Sequence, residues 1–177
     1  MKRTIPAPLT FEDKLSRTSK AVHFLFQHWT SIMGLRWWEE VRVQTYNTRN
    51  DMPEEQRVSG ASAFASVQWE YKTATCGFCL ELLMGFTPVE LERVVVHELC
   101  HLLVNAMRDY DKLGIKIEEL VVTNLTQAFI WTAAEWRKVG GGRDKFTDKS
   151  IEMSDYEYRR ELKKLVGRGT GTNVQYT

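Results

Sequence analysis

The sequence predicts an α+β protein: an N-terminal helix, a small sheet of three or more strands, then two apolar helices in succession. Three observations carry that prediction. A helical apolar rhythm runs from about Thr10 to Met33. Short segments with alternating apolar residues follow between Trp37 and Leu83. The helical rhythm then returns at Thr87 and persists, with one break, to Trp131. Helix, three strands and then two helices make an α+β order.

The first helix places Leu15, Val22, Phe24, Leu25 and Trp29 on one side, and Gly34 ends it. Between Trp37 and Tyr46, the alternation of Val41, Val43 and Thr45 predicts the first strand. Asn47 to Ser59 is polar, contains Pro53, and reads as a loop. Ala63 to Tyr71 is the second strand and Thr73 to Leu83 the third. Thr87, Pro88 and Glu90 then mark a helix start, with Thr87 as cap, Pro88 in the first turn and Glu90 closing a capping box. Leu91, Val94, Val95, Leu99, Leu102, Leu103 and Ala106 follow at helical spacing. Asp109 to Lys116 reads as a turn around Gly114. A second apolar helix begins at Glu118 and Glu119 and includes Leu120, Val121, Val122, Leu125, Phe129, Ile130 and Trp131. Two helices joined this closely are expected to pack antiparallel.

A length of 177 residues fits one domain, and 43% apolar content with six tryptophans can fill a core. The domain is expected to span residues 1–139. Residues 140–177 hold a glycine break (Gly140 to Gly142), a short charged helix over Asp155 to Val166 capped by Ser154, and a tail with little to bury. A net charge of +1 gives no global argument for a nucleic acid or membrane partner. The basic cluster Arg159, Arg160, Lys163, Lys164 and Arg168 reads as a solvated helix face. No apolar run approaches the roughly 20 residues of a membrane span, and the N-terminus lacks a signal-peptide core. Three cysteines do not make a disulfide framework, so a reducing, cytoplasmic setting is expected. Cys76 and Cys79 form a C-x-x-C, but strand alternation sends them to opposite faces and no second pair accompanies them.

The chemistry concentrates in His97, Glu98, Leu99, Cys100 and His101, an H-E-x-x-H. Two histidines four apart on a helix project from one face and can occupy two corners of a zinc tetrahedron. Glu98 then sits beside the metal, where a general base for an attacking water belongs. The competing reading is a pair of core histidines bonded to backbone, with Glu98 exposed. A catalytic zinc has three protein ligands and an open position. His23 and His28 lie far upstream and no histidine follows His101, so the third ligand is expected to be a carboxylate at the start of the next helix. Glu118 and Glu119 can each point inward, and periodicity does not choose between them.

With this pattern the chain resembles the zincins, the H-E-x-x-H metallopeptidases, and within them the gluzincin branch. It is most similar to small intracellular metallopeptidase-like proteins common in phages and bacteria. The resemblance is specific over His97 to Trp131 and general over Trp37 to Leu83. It implies that Glu119 is the third zinc ligand, because Glu119, Val122 and Leu125 fit the glutamate, small and large positions of the family's second helix. It implies that Glu98 is the catalytic base in peptide hydrolysis, and that the strand over Thr75–Leu82 lines the cleft and pairs with an extended peptide. The sequence departs from the thermolysin pattern, in which an acidic residue one turn after the glutamate steadies a histidine; Thr123 stands there instead. Tyr110, Tyr156 and Tyr158 are candidate oxyanion donors.

The expected function is therefore that of a zinc-dependent peptidase acting on a protein or peptide. With one small domain and no added binding module, narrow action on a single partner is expected. The alternatives are a non-catalytic zinc module with the same fold, and a DNA-associated protein that docks through its C-terminal basic helix.

Overall fold

The computed structural model describes residues 9–104, 112–138 and 155–166. Its elements run α1 (Phe11–Ile32), β1 (Glu40–Tyr46), α2 (Glu54–Ser59), β2 (Ala63–Gln68), β3 (Thr73–Cys79), α3 (Leu80–Leu83), α4 (Pro88–Val104), α5 (Lys112–Lys138) and α6 (Asp155–Val166). The fold is α+β. Among the described residues, no helix is long and apolar enough to cross a membrane.

Helix α1 is fixed at its start by a capping box, with the Thr10 hydroxyl accepting from Asp13 N–H and the Asp13 carboxylate accepting from Thr10 N–H. Its apolar stripe, Ala21, Val22, Leu25, Phe26 and Trp29, is buried. Gly34, with φ of 65°, lets the chain leave the helix in a left-handed turn.

The sheet has the order β1-β3-β2. Strand β1 runs parallel to β3, from Glu40 opposite Thr73 to Tyr46 opposite Cys79. Strand β2 runs antiparallel to β3, from Ala63 opposite Phe78 to Gln68 opposite Thr73. Ala74, Cys76 and Phe78 of β3 enter the core, where they join α1 and Leu91, Val95, Val96 and Leu99 of α4. On the other face the ring of Phe64 lies over Gly77 and reaches Tyr46, with ring centroids 6.1 Å apart.

Several boundaries differ from the sequence expectation. The polar stretch after Asn47 contains a helix, α2, with Glu54 and Glu55 in its first turn and Gly60 (φ 76°) at its end. Short polar helices lack the apolar stripe that reveals longer ones. The second strand stops at Gln68 in a tight turn through Lys72, which adopts φ of 50°. The third stops at Cys79 and the chain coils into α3, because a short apolar run suits a strand and a buried helix equally well. Helix α5 already includes Gly114 and Lys116, which the sequence placed in a turn.

Helix α6 covers the range the sequence assigned to it, and it packs on α1. The Tyr158 ring lies against Phe24 and His28, at centroid distances of 5.8 and 4.5 Å. Its hydroxyl donates to the buried carboxylate of Glu92 on α4, which also accepts from Trp29 Nε1 at 3.2 Å. One acidic side chain thus ties three helices together. Ser154, Arg168 and the glycine break lie outside the described residues.

Candidate metal centre

Helix α4 begins where the sequence places it. Thr87 N–H donates to Glu90 Oε2 at 2.6 Å, and Glu90 N–H donates to Thr87 Oγ1 at 3.3 Å. From that start, Val95, Val96, Leu99 and Leu102 turn fully into the core. His97 and His101 fall on the neighbouring face. Their side chains are 29% and 13% exposed, so they border a cleft and are not enclosed in the core, as the competing reading of the pair would require. Their rings stand nearly perpendicular, at 79°, and the two Nε2 atoms approach to 3.3 Å.

Helix α5 packs beside α4 and delivers both glutamates to this pair. Glu119 reaches it from the solvent side, with Oε2 at 3.4 Å from His97 Nε2 and Oε1 at 3.4 Å from His101 Nε2. Glu118 reaches it from behind. It is buried, and its Oε1 lies 2.8 Å from His101 Nδ1. With an ionised Glu118 the proton belongs on Nδ1, which leaves the Nε2 lone pair directed at His97 and Glu119. The two glutamates that periodicity could not separate thus take different positions. Thr123, one turn after Glu119, lines the cleft, and the carboxylate on His101 Nδ1 is that of Glu118.

These three side chains can hold a metal ion. Donors about 2.1 Å from one tetrahedral ion stand about 3.4 Å from each other. The two histidine nitrogens, 3.3 Å apart, match that edge; Glu119 turns Oε2 to His97 and Oε1 to His101, each at 3.4 Å, and with one atom from each residue the three lie within 4.8 Å of one another.

Glu98 is buried, contrary to the reading in which it is an exposed helix residue. Burial pushes its carboxyl up to about 7; His97 opposes that rise and the Glu119 charge adds to it. For His97, burial works against the charged form, but the hydrogen bond it donates to the Glu119 carboxylate and the charges of Glu98 and Glu119 outweigh it and raise its pKa. Burial, with a contribution from Glu98, also pushes the Cys76 thiol well up. Burial pushes Cys100 up to about 11 against a hydrogen bond with Thr126. Cys76, Cys79 and Cys100 are free, buried thiols.

A cleft of about 980 Å³ opens over the site. Its floor is α4, with Arg93, Val94, His97, Glu98 and His101. One wall is α5, through Glu119, Thr123, Asn124 and Gln127; the other is β2, through Ala63, Phe64 and Ala65. This corrects the strand assignment. The resemblance gave the cleft to Thr75–Leu82, but β3 is the central strand and its backbone is paired on both sides. The strand beside the cleft is β2, at the sheet edge. Tyr158 is not in the cleft, since its hydroxyl is spent on Glu92 in the core. Tyr110 and the Tyr156 side chain lie outside the described residues. On α6, Arg160 and Lys164 are bonded to Glu161, as a solvated helix face would be.

No family model, curated protein or solved structure matches this chain. Sequence reasoning passed over Arg93, whose i, i+4 relation to His97 was the available signal.

Proposed function

We propose that this protein is a zinc-dependent peptidase of the zincin kind, with His97, His101 and Glu119 as metal ligands and Glu98 as general base. The observation that carries the proposal is the convergence of His97, His101 and Glu119, whose nearest side-chain atoms approach to 3.3–3.4 Å, with a buried carboxylate beside them. Two imidazoles and one carboxylate suit zinc, although other divalent first-row ions accept the same donors. When bound, zinc supplies a Lewis acid that polarises the scissile carbonyl and acidifies water.

The chain's own residues do the rest. Glu98, with its carboxyl near neutrality, takes a proton from the attacking water on a carboxylate oxygen and returns it to the leaving amine nitrogen. Glu118 holds the His101 ring in place. The free edge of β2 offers backbone groups to an extended peptide, which the cleft between β2 and α5 would hold. Three free thiols fit a reducing, cytoplasmic setting.

The test combines metal content with cleavage. Protein purified without a metal-affinity tag is expected to bind one equivalent of zinc. Wild type and Glu98→Gln are then incubated with cell extract and new protein N-termini are compared by mass spectrometry. Glu98-dependent cuts support the peptidase, and a single dominant cut supports narrow specificity. Stable zinc with no Glu98-dependent cut points to a non-catalytic zinc module. Zinc well below one equivalent that cannot be restored rejects the metal site.

A further inference from the structure

Arg93 lies one turn before His97 on α4, so the two share a helix face about 6 Å apart along the axis. It is exposed and lines the same cleft as the histidines, and no other Lys or Arg does so among the described residues. Asn124 and Gln127 of α5 line that cleft with it.

The carboxylates near Arg93 in sequence or in the cleft are engaged elsewhere. Glu90 caps Thr87, and Glu92 accepts from Trp29 and Tyr158 inside the core. Glu118 and Glu119 are turned to the histidines, and Glu98 is buried. Among the described residues Arg93 makes no ion pair. A guanidinium in a cleft is suited to a carboxylate held by two parallel hydrogen bonds.

We propose that Arg93 is the carboxylate-recognising residue of this cleft, and that the preferred ligands are peptides with an acidic side chain or free C-terminus close to the reacting bond. The proposal rests on the peptidase reading and adds its substrate class. An extended peptide advances about 3.3 Å per residue, so one turn of α4 separates the recognised carboxylate from the reacting carbonyl by about two residues.

The test uses paired synthetic probes on the full chain. The first pair is a zinc-reconstituted titration with peptide hydroxamates that differ only as Glu against Gln two residues from the hydroxamate. The second pair differs only as C-terminal carboxylate against carboxamide. Calorimetry is expected to show at least about a tenfold preference for the acid in one pair, and which pair shows it names the source of the carboxylate. Arg93→Gln should abolish the preference with zinc content unchanged, and Arg93→Lys should retain part of it. A second arm titrates the same peptides, without the hydroxamate, into zinc-free labelled protein and follows the Arg93 Nε–H resonance. Equal binding of acid and amide, a preference that survives in Arg93→Gln, or no acid-selective binding in either arm would overturn the proposal. Zinc stoichiometry and Glu98-dependent cleavage are measured separately, so the peptidase reading can fail without deciding this one.

Discussion

Glu118 Oε1 lies 2.8 Å from His101 Nδ1, and this contact orients the ring so that Nε2 faces His97 across 3.3 Å. Adjacent residues on one helix therefore approach the same histidine from opposite sides: Glu118 at Nδ1 from within the protein, Glu119 at Nε2 from the cleft. A carboxylate on the remote nitrogen fixes the tautomer and makes the other nitrogen a better donor.

That division of labour gives the first prediction. If Glu119 is a ligand as proposed, Glu119→Ala is expected to lose most zinc affinity. Glu118→Ala removes only the support and is expected to weaken zinc about 10–100-fold, with one equivalent still bound at saturation. Competition against a chromophoric chelator reads both constants. If Glu118→Ala leaves affinity unchanged while Glu119→Ala behaves as wild type, the assignment of the two residues is wrong.

Glu98 yields a prediction about pH in the metal-free protein. Its carboxyl sits at about 7 when folded, against its usual 4.5, chiefly because it is buried. Below pH 4.5 both folded and unfolded chains carry the proton, and the site costs nothing. Between 4.5 and 7 the folded chain holds the proton more tightly, so stability falls as pH rises. Above 7 the full penalty applies, at most about 3 kcal/mol. Glu98→Gln never ionises. It should therefore be more stable than wild type in urea at pH 8 with chelator present, and match it at pH 4. A variant that is less stable than wild type at pH 8 would show that the carboxylate has favourable partners there.

The parts of this fold that were legible in the sequence are local. Thr87, Pro88 and Glu90 announce α4, and the His97–His101 spacing needs only helix geometry. The choice between Glu118 and Glu119 was not local, since it depends on the rotation of α5 against α4. Both residues turned out to face the histidines. Strand order was equally out of reach. Alternation in Val41 and Val43 marks a strand, but it does not say that β3 pairs with both neighbours and leaves β2 at the edge. Glu92 was invisible for the same reason: its partners Trp29 and Tyr158 are 63 and 66 residues away.

Gly77 should not tolerate a side chain. A Cβ at this position would lie 2.3 Å from a ring atom of Phe64. Gly77→Ala must swing that ring off the sheet face and out of its contact with Tyr46, at an expected cost of about 1–3 kcal/mol. Phe64→Ala alone loses packing, but the double variant has no clash to relieve. The two changes are therefore expected to be markedly less costly together than their sum, as measured by urea midpoints in a double-mutant cycle. Simple additivity would mean that the ring accommodates the methyl group without displacement.

The C-terminal helix supplies the last prediction. Tyr158 and Leu162 are 1% and 3% exposed, so α6 buries residues that belong to the core around α1 and α4. Tyr158→Phe keeps the ring against His28 and Phe24 but removes the donor to a buried carboxylate. A hydrogen bond to a charged group contributes about 1.5–3 kcal/mol, and Glu92 retains Trp29, so a loss in the lower part of that range is expected. Leu162→Ala should cost about 2–5 kcal/mol by opening a cavity at the same interface. Neither residue lines the cleft, so both variants should bind zinc with wild-type affinity under conditions where they are folded. Equilibrium urea unfolding and a zinc titration test the two halves of this expectation. If both variants unfold at the wild-type midpoint, α6 does not stabilise the core in solution. If they lose zinc while fully folded, the Glu92 cluster is coupled to the proposed ligand His97, five residues further along α4.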